Sequence, residues 1–128
     1  MSLKNQLKVM VVDDMSTSRA LITQALDAIG VANYAVENDG QNALKTLSTA
    51  PVHLVLSDMN MPNIDGLGLL EALRRNPATA RVGFILVTGS PSPEIVQRGQ
   101  KLGLNNIIKK PFSPAQMKQC IERVVGRL

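Results

Sequence analysis

Aromatic side chains are nearly missing: the 128 residues contain no Trp, one Tyr and two Phe. Proteins that hold single-stranded nucleic acid stack its bases on aromatic platforms, so that function class is disfavoured. The core must instead be packed by Leu, Ile, Val, Ala and Met. A single cysteine, Cys120, excludes an intramolecular disulfide and a cysteine metal site, and fits a reducing compartment. No stretch approaches the roughly 20 apolar residues of a membrane span, and no signal-peptide pattern opens the chain. A soluble, cytoplasmic protein without a membrane partner is expected. Repeats and low-complexity tracts are also absent. With 45% hydrophobic residues the chain can bury one core without staples, and a second domain has no room. Met1-Ser2-Leu3 reads equally well as a native start or an appended leader.

Acidic residues are in deficit, giving a net charge of +4 and a pI near 9.6. The excess is uneven. Residues 88 to 128 hold seven Lys and Arg against Glu94 and Glu122, whereas the remainder is slightly acidic. Without a DNA-reading motif, such charges form a solvated face or favour an acidic protein partner over nucleic acid.

What is present is a series of short apolar runs that each stop at a functional group. Val52-His53-Leu54-Val55-Leu56-Ser57-Asp58 is a strand pattern ending in a carboxylate, followed by the Pro- and Gly-marked loop Met59-Asn60-Met61-Pro62-Asn63-Ile64-Asp65-Gly66. Asp65 fits the N-cap of the next helix. Asp13 and Asp14 follow Val9 to Val12, Thr88 follows Phe84 to Val87, and Lys110 follows Ile107 to Lys109. Runs of this kind read as parallel strands buried on both faces, whose carboxyl ends line the ligand edge of the sheet. Acid, acid, hydroxyl and ammonium would meet there.

Taken in order, Leu7 to Val12 reads as the first strand, and a helix opens at Ser16 and stops at Gly30. Tyr34 to Glu37 is a second strand, followed by the turn Asn38-Asp39-Gly40 and a helix that Pro51 closes. The helix after Asp65 carries Leu67, Leu69, Leu70 and Leu73 until Asn76-Pro77 ends it. Ser92 caps a helix with Pro93 at its first position; Gly99 within it costs about 1 kcal/mol against Ala, so an easily shifted element is expected. Asn106 to Lys109 is the fifth strand, and Ser113-Pro114-Ala115-Gln116 fits a capping box for the last helix, whose stripe Met117, Cys120, Ile121, Val124 points Cys120 into the core. Five strands alternating with five helices predict an α/β fold with helices on both faces of one parallel sheet.

The set Asp13-Asp14, Asp58, Thr88 and Lys110-Pro111-Phe112, in this order, resembles the receiver domain of two-component response regulators, and most closely its single-domain chemotaxis members. The resemblance spans nearly the whole chain. It implies a flavodoxin-like (βα)5 sheet of order 2-1-3-4-5, one receiver domain over residues 1–128 without an output domain, and a monomer. It implies phosphorylation of Asp58 by a sensor histidine kinase of the chemotaxis type. Three acids at one edge repel, two charges 4 Å apart by about 4 kcal/mol at an effective dielectric near 20, and an all-oxygen cluster suits Mg²⁺. By the resemblance Asp14, Asp58 and the Asn60 backbone carbonyl ligate that metal, with Asp13 acting through a water. Lys110 and Thr88 take the phosphoryl oxygens, and Gly89 leaves its amide and a path for water open. Thr88 then acts as a switch that remodels the face of the Pro93 helix, fifth strand and last helix, read by a flagellar motor switch protein. The family usually has Tyr or Phe three residues before the Lys; here that switch position is Ile107, so coupling through aliphatic repacking is expected. Met59, beside Asp58, is expected to influence partner contact and dephosphorylation.

Other readings are a phosphorelay intermediate or phosphate sink serving a histidine phosphotransfer protein, and an Mg²⁺-dependent hydrolase with an aspartyl nucleophile. The hydrolase needs an acid two residues after its nucleophile, where this chain has Asn60, so turnover of outside substrates is not expected. Flavin binding would need a Gly- or hydroxyl-rich loop after the first strand. His53 begins its strand away from the acidic edge and reads as structural; Lys109 alternates away from Lys110.

Overall fold

Alternating apolar runs and amphipathic segments fold as the periodicity requires. The computed structural model describes residues 3–128. Its elements run α1 Leu3–Gln6, β1 Val9–Val12, α2 Ser16–Ala28, β2 Tyr34–Glu37, α3 Gly40–Thr49, β3 Leu54–Asp58, α4 Gly66–Arg75, β4 Gly83–Thr88, α5 Pro93–Lys101, β5 Asn106–Lys109 and α6 Pro114–Val125. The strands form one parallel sheet in the order β2-β1-β3-β4-β5.

Period-two alternation in the central strands builds a core on each face. On one face Val9, Val11, Leu54, Leu56, Ile85 and Val87 pack against α2 and α6, which supply Ile22, Leu26, Met117, Cys120 and Ile121. On the other, Met10, Val12, Val55, Phe84 and Leu86 meet Ala43 and Leu47 of α3 and Leu67, Leu70 and Leu73 of α4. Because β1, β3 and β4 are covered on both sides, they contain almost no polar residue except where they end at the carboxyl edge.

Two expectations change. Six helices form, not five, because Leu3–Gln6 makes a single turn before β1. The first strand accordingly starts at Val9; Leu7, whose amide donates to the Leu3 carbonyl at 2.9 Å, is buried beneath the sheet as part of the helix-to-strand connection. Met1 and Ser2 of the lead Met1-Ser2-Leu3 lie outside the described residues. The caps follow the sequence closely. Asp65 accepts from the Gly68 amide at 2.7 Å, Ser92 accepts from Ile95 at 3.2 Å, and Ser113 and Gln116 exchange both bonds of a capping box. No described helix is long and apolar enough to cross a membrane.

Candidate functional site

The carboxyl edge gathers side chains that the sequence keeps far apart. β1 and β3 are neighbours in register, Val12 opposite Ser57, so Asp13 and Asp58 emerge side by side. One carboxylate oxygen from each of Asp13, Asp14 and Asp58 lies within 4.8 Å of the others. Asp13 and Asp58 are buried and Asp14 is exposed. Thr88, buried, follows Val87, the register partner of Asp58 on β4. Lys110 leaves the end of β5 and reaches across the edge, its Nζ donating to Asp58 Oδ1 at 3.0 Å and to Ser18 Oγ on α2 at 3.1 Å. The Lys110-Pro111 peptide bond is cis.

Backbone contacts hold these groups in place. Asp13 Oδ1 accepts from the Met15 amide at 3.0 Å, and Arg19 Nη1 donates to the Asp13 carbonyl at 2.8 Å, pinning the strand end to the first turns of α2. Gly66 N donates to the Met59 carbonyl at 2.8 Å. A Cβ on Gly66 would lie 2.5 Å from the Asp58 carbonyl oxygen, so only glycine lets α4 begin this close to the acid. Further along the loop, Ile64 covers Gly40 and Asn63 Nδ2 donates to Asp39 Oδ2 at 3.2 Å, fastening the loop to the N-terminus of α3.

Electrostatically the site is under tension. Burial pushes the Asp58 carboxyl above its usual range; the Lys110 hydrogen bond pulls the other way, and the Asp13 charge adds to the rise. Asp13 Oδ2 is buried and has no hydrogen-bond partner among the described residues. An orphaned carboxylate oxygen of this kind costs free energy unless something not of the protein meets it. The ligand atoms that Asp13, Asp14 and Asp58 offer are all oxygens, a set matched to a hard divalent cation. The donor set therefore fits Mg²⁺.

Asp13, Asp14, Asp58, Thr88 and Lys110 are thus brought to one edge. Asn60 is exposed two residues beyond Asp58 in the same loop. Ile107 pairs with Leu86 and packs, half-buried, on the second core. Added atoms at Gly89 would meet nothing within 4 Å, so the space above the site is open there. Met59 is buried in the second core. His53 Nδ1 accepts from the Lys8 amide at 3.0 Å at the opposite edge, a structural role. Three contributors carry no signal in the sequence pattern: Ser18, Arg19 and the close approach at Gly66. Ser18 falls on the buried side of α2, but its link to Lys110 across 92 positions has no local signature.

The same assembly of strand-end groups defines a class of protein. The response regulator receiver domain model matches residues 9–122, and the chain belongs to that family. Among curated relatives it is 43% identical to a Rhizobium etli protein named "Probable chemotaxis protein CheY", over all of this chain and 99% of that one. The chemotaxis response regulator CheY4 of Vibrio cholerae has the same fold, with a TM-score of 0.85 at 29% identity over 92% of this chain and 98% of that one. The receiver domain of the Pseudomonas aeruginosa sensor histidine kinase PA1611, solved with a magnesium ion coordinated in its active site cleft, superimposes with a TM-score of 0.84 at 22% identity, over 94% and 98% of the two chains. The chain is therefore a chemotaxis-type response regulator, a signalling protein of a class that works with histidine kinases.

Proposed function

We propose that this protein is a stand-alone receiver that takes a phosphoryl group on Asp58 from a sensor histidine kinase and signals by phosphorylation-dependent protein binding in chemotaxis. One observation carries the reading: the Lys110 ammonium sits 3.0 Å from Asp58 Oδ1 at an edge where two more carboxylates converge.

The chemistry follows from the groups present. The Asp58 carboxylate attacks phosphorus as the phosphorus–nitrogen bond of a phosphohistidine breaks, and the imidazole leaves with that electron pair. Lys110 is positioned to neutralise the arriving oxygens, and its hydrogen bond to Asp58 aims the carboxylate. Thr88 Oγ1 accepts from the Ser90 amide at 3.2 Å, which leaves its own proton for a phosphoryl oxygen. Asp14, Asp58 and the Asn60 carbonyl, with Asp13 through water, would hold Mg²⁺; when bound it supplies the positive charge that lets the acids and the phosphoryl group share one edge. The buried free oxygen of Asp13 supports this. Water entering over Gly89 hydrolyses the acyl phosphate and restores the carboxylate.

Output would be read on the face of α5, β5 and α6. A groove between β5 and α6 is lined by Ile107, Lys109, Gln119, Cys120 and Arg123, a mixture of apolar, polar and basic groups suited to an acidic segment of a flagellar motor switch protein. Pull-down from cell extract with and without beryllofluoride tests this: capture of the motor protein only with the phosphoryl mimic supports the motor role. Transfer of phosphate onward to a histidine phosphotransfer protein would instead make the chain a relay intermediate. The acceptor role itself is tested by titrating Mg²⁺ and acetyl phosphate against the parent protein and Asp58→Asn, where only the parent should respond.

A further inference from the structure

Lys110 is the longest and least constrained group at the edge, with four rotatable carbons between β5 and its ammonium. A side chain of this kind loses rotamer freedom when fixed, so its position must be held by partners. Two are present. One is Asp58, the group that would itself be modified; the other is the Ser18 hydroxyl, on α2 and on the far side of the ammonium's reach, at 3.1 Å. Ser18 is buried, and its hydroxyl makes no other hydrogen bond to the described residues.

The two partners differ in what phosphorylation does to them. On acceptance of a phosphoryl group the Asp58 carboxylate becomes a neutral acyl group of an acyl phosphate, and its own hold on Lys110 weakens. Ser18 is unchanged by that event. We propose that Ser18 is a positioning residue for phosphoryl transfer: its hydroxyl anchors the Lys110 ammonium through both the free and the phosphorylated states. The ammonium therefore meets the incoming phosphoryl oxygens from a fixed point. The inference rests on the reading of Asp58 as phosphoacceptor.

The anchor predicts a specific pattern of kinetics. Removing the hydroxyl frees a charged donor that was held in a partly buried site, and hydrogen bonds to charged groups of this type correspond to about a tenfold change in an equilibrium. With acetyl phosphate as donor and saturating Mg²⁺, Ser18→Ala should lower the phosphorylation rate constant by about tenfold, with little change in the donor concentration giving half the maximal rate. Ser18→Thr keeps the acceptor and should restore most of the rate. In a Lys110→Ala background, Ser18→Ala should cost nothing further, because the group it positions is gone. Circular dichroism melts establish that each variant is folded, and the double-mutant comparison does not depend on the Thr variant folding. An equal loss from Ser18→Ala with and without Lys110, or no loss in the parent, would overturn the proposal. Absence of phosphorylation in the parent protein would instead overturn the acceptor reading on which it stands.

Discussion

A carboxylate that must be charged to act as a nucleophile sits, at Asp58, where burial disfavours its charge. Its native ionisation is raised above the ordinary value of 3.8, so over the interval between the two the folded state keeps a proton that the unfolded chain has lost. Stability then declines as pH rises through that interval, and above it the ionised group's full cost falls on the fold. In divalent-free buffer at pH 7, Asp58→Asn should therefore be more stable than the parent and melt at a higher temperature. Below 3.8 the gap should close. Thermal melts across pH check both statements, and a variant that melts lower at neutral pH would count against them. Arg74 shows the opposite case, a charge used for structure. Its guanidinium donates to the carbonyls of Ala80, Val82 and Gly103 and to Asn105 Oδ1, at 2.7 to 3.2 Å, tying α4 to the segments that precede β4 and β5. Arg74→Met should leave the half-buried carbonyls of Ala80 and Val82 without their charged donor and cost about 1–2 kcal/mol in urea unfolding. Neither Ser18, Arg19 nor Arg74 could be singled out from the sequence, since each acts on a partner that only the tertiary fold brings near.

At the scale of elements, what could be read ahead of the structure was what local physics controls. The central strands β1, β3 and β4 were legible because burial on both faces demands unbroken apolar runs, and the caps at Asp65, Ser92 and Ser113 because an N-cap is a contact within four residues. The single turn of α1 was not, since four residues with none buried carry no periodicity. Gly99 is an instructive case. Propensity alone treats it as a weakness in α5, yet it is buried, and a Cβ there would stand 2.6 Å from Leu104 Cδ2. Gly99→Ala should thus gain less than the nearly 1 kcal/mol of an exposed helix site, because the Leu104 side chain must shift to admit the methyl. Denaturant midpoints measure the difference. Ile107, half-buried against Leu86 on β5, offers no ring to swing toward Thr88. Coupling from the acidic edge to α5 should then pass through aliphatic repacking and be weaker than an aromatic would give. Hydrogen exchange with and without beryllofluoride should show changed protection around residue 107 and over 92–102; unchanged maps would refute that route.

Over the whole molecule, the sheet order was implied by the resemblance and not by any local pattern, because strand adjacency is a property of crossovers. Once formed, that order lays the ends of β1, β3, β4 and β5 beside one another, and a stable two-faced core holds an edge that is poorly satisfied by protein alone. Such an edge should be stabilised by its ligand. At Mg²⁺ ten times its dissociation constant, unfolding free energy should rise by about 1.4 kcal/mol, and the rise should be lost in Asp13→Asn and Asp58→Asn. Differential scanning calorimetry with and without the ion measures it, and equal shifts in all three proteins would argue for binding elsewhere. The central claim is that Asp58 alone carries the phosphoryl group, and its most direct test is chemical. After incubation with acetyl phosphate and Mg²⁺, the acyl phosphate is reduced with borohydride and the peptides are sequenced by mass spectrometry. The account predicts the reduced side chain at position 58 and nowhere else; modification at another residue, or none in the folded protein, would contradict it.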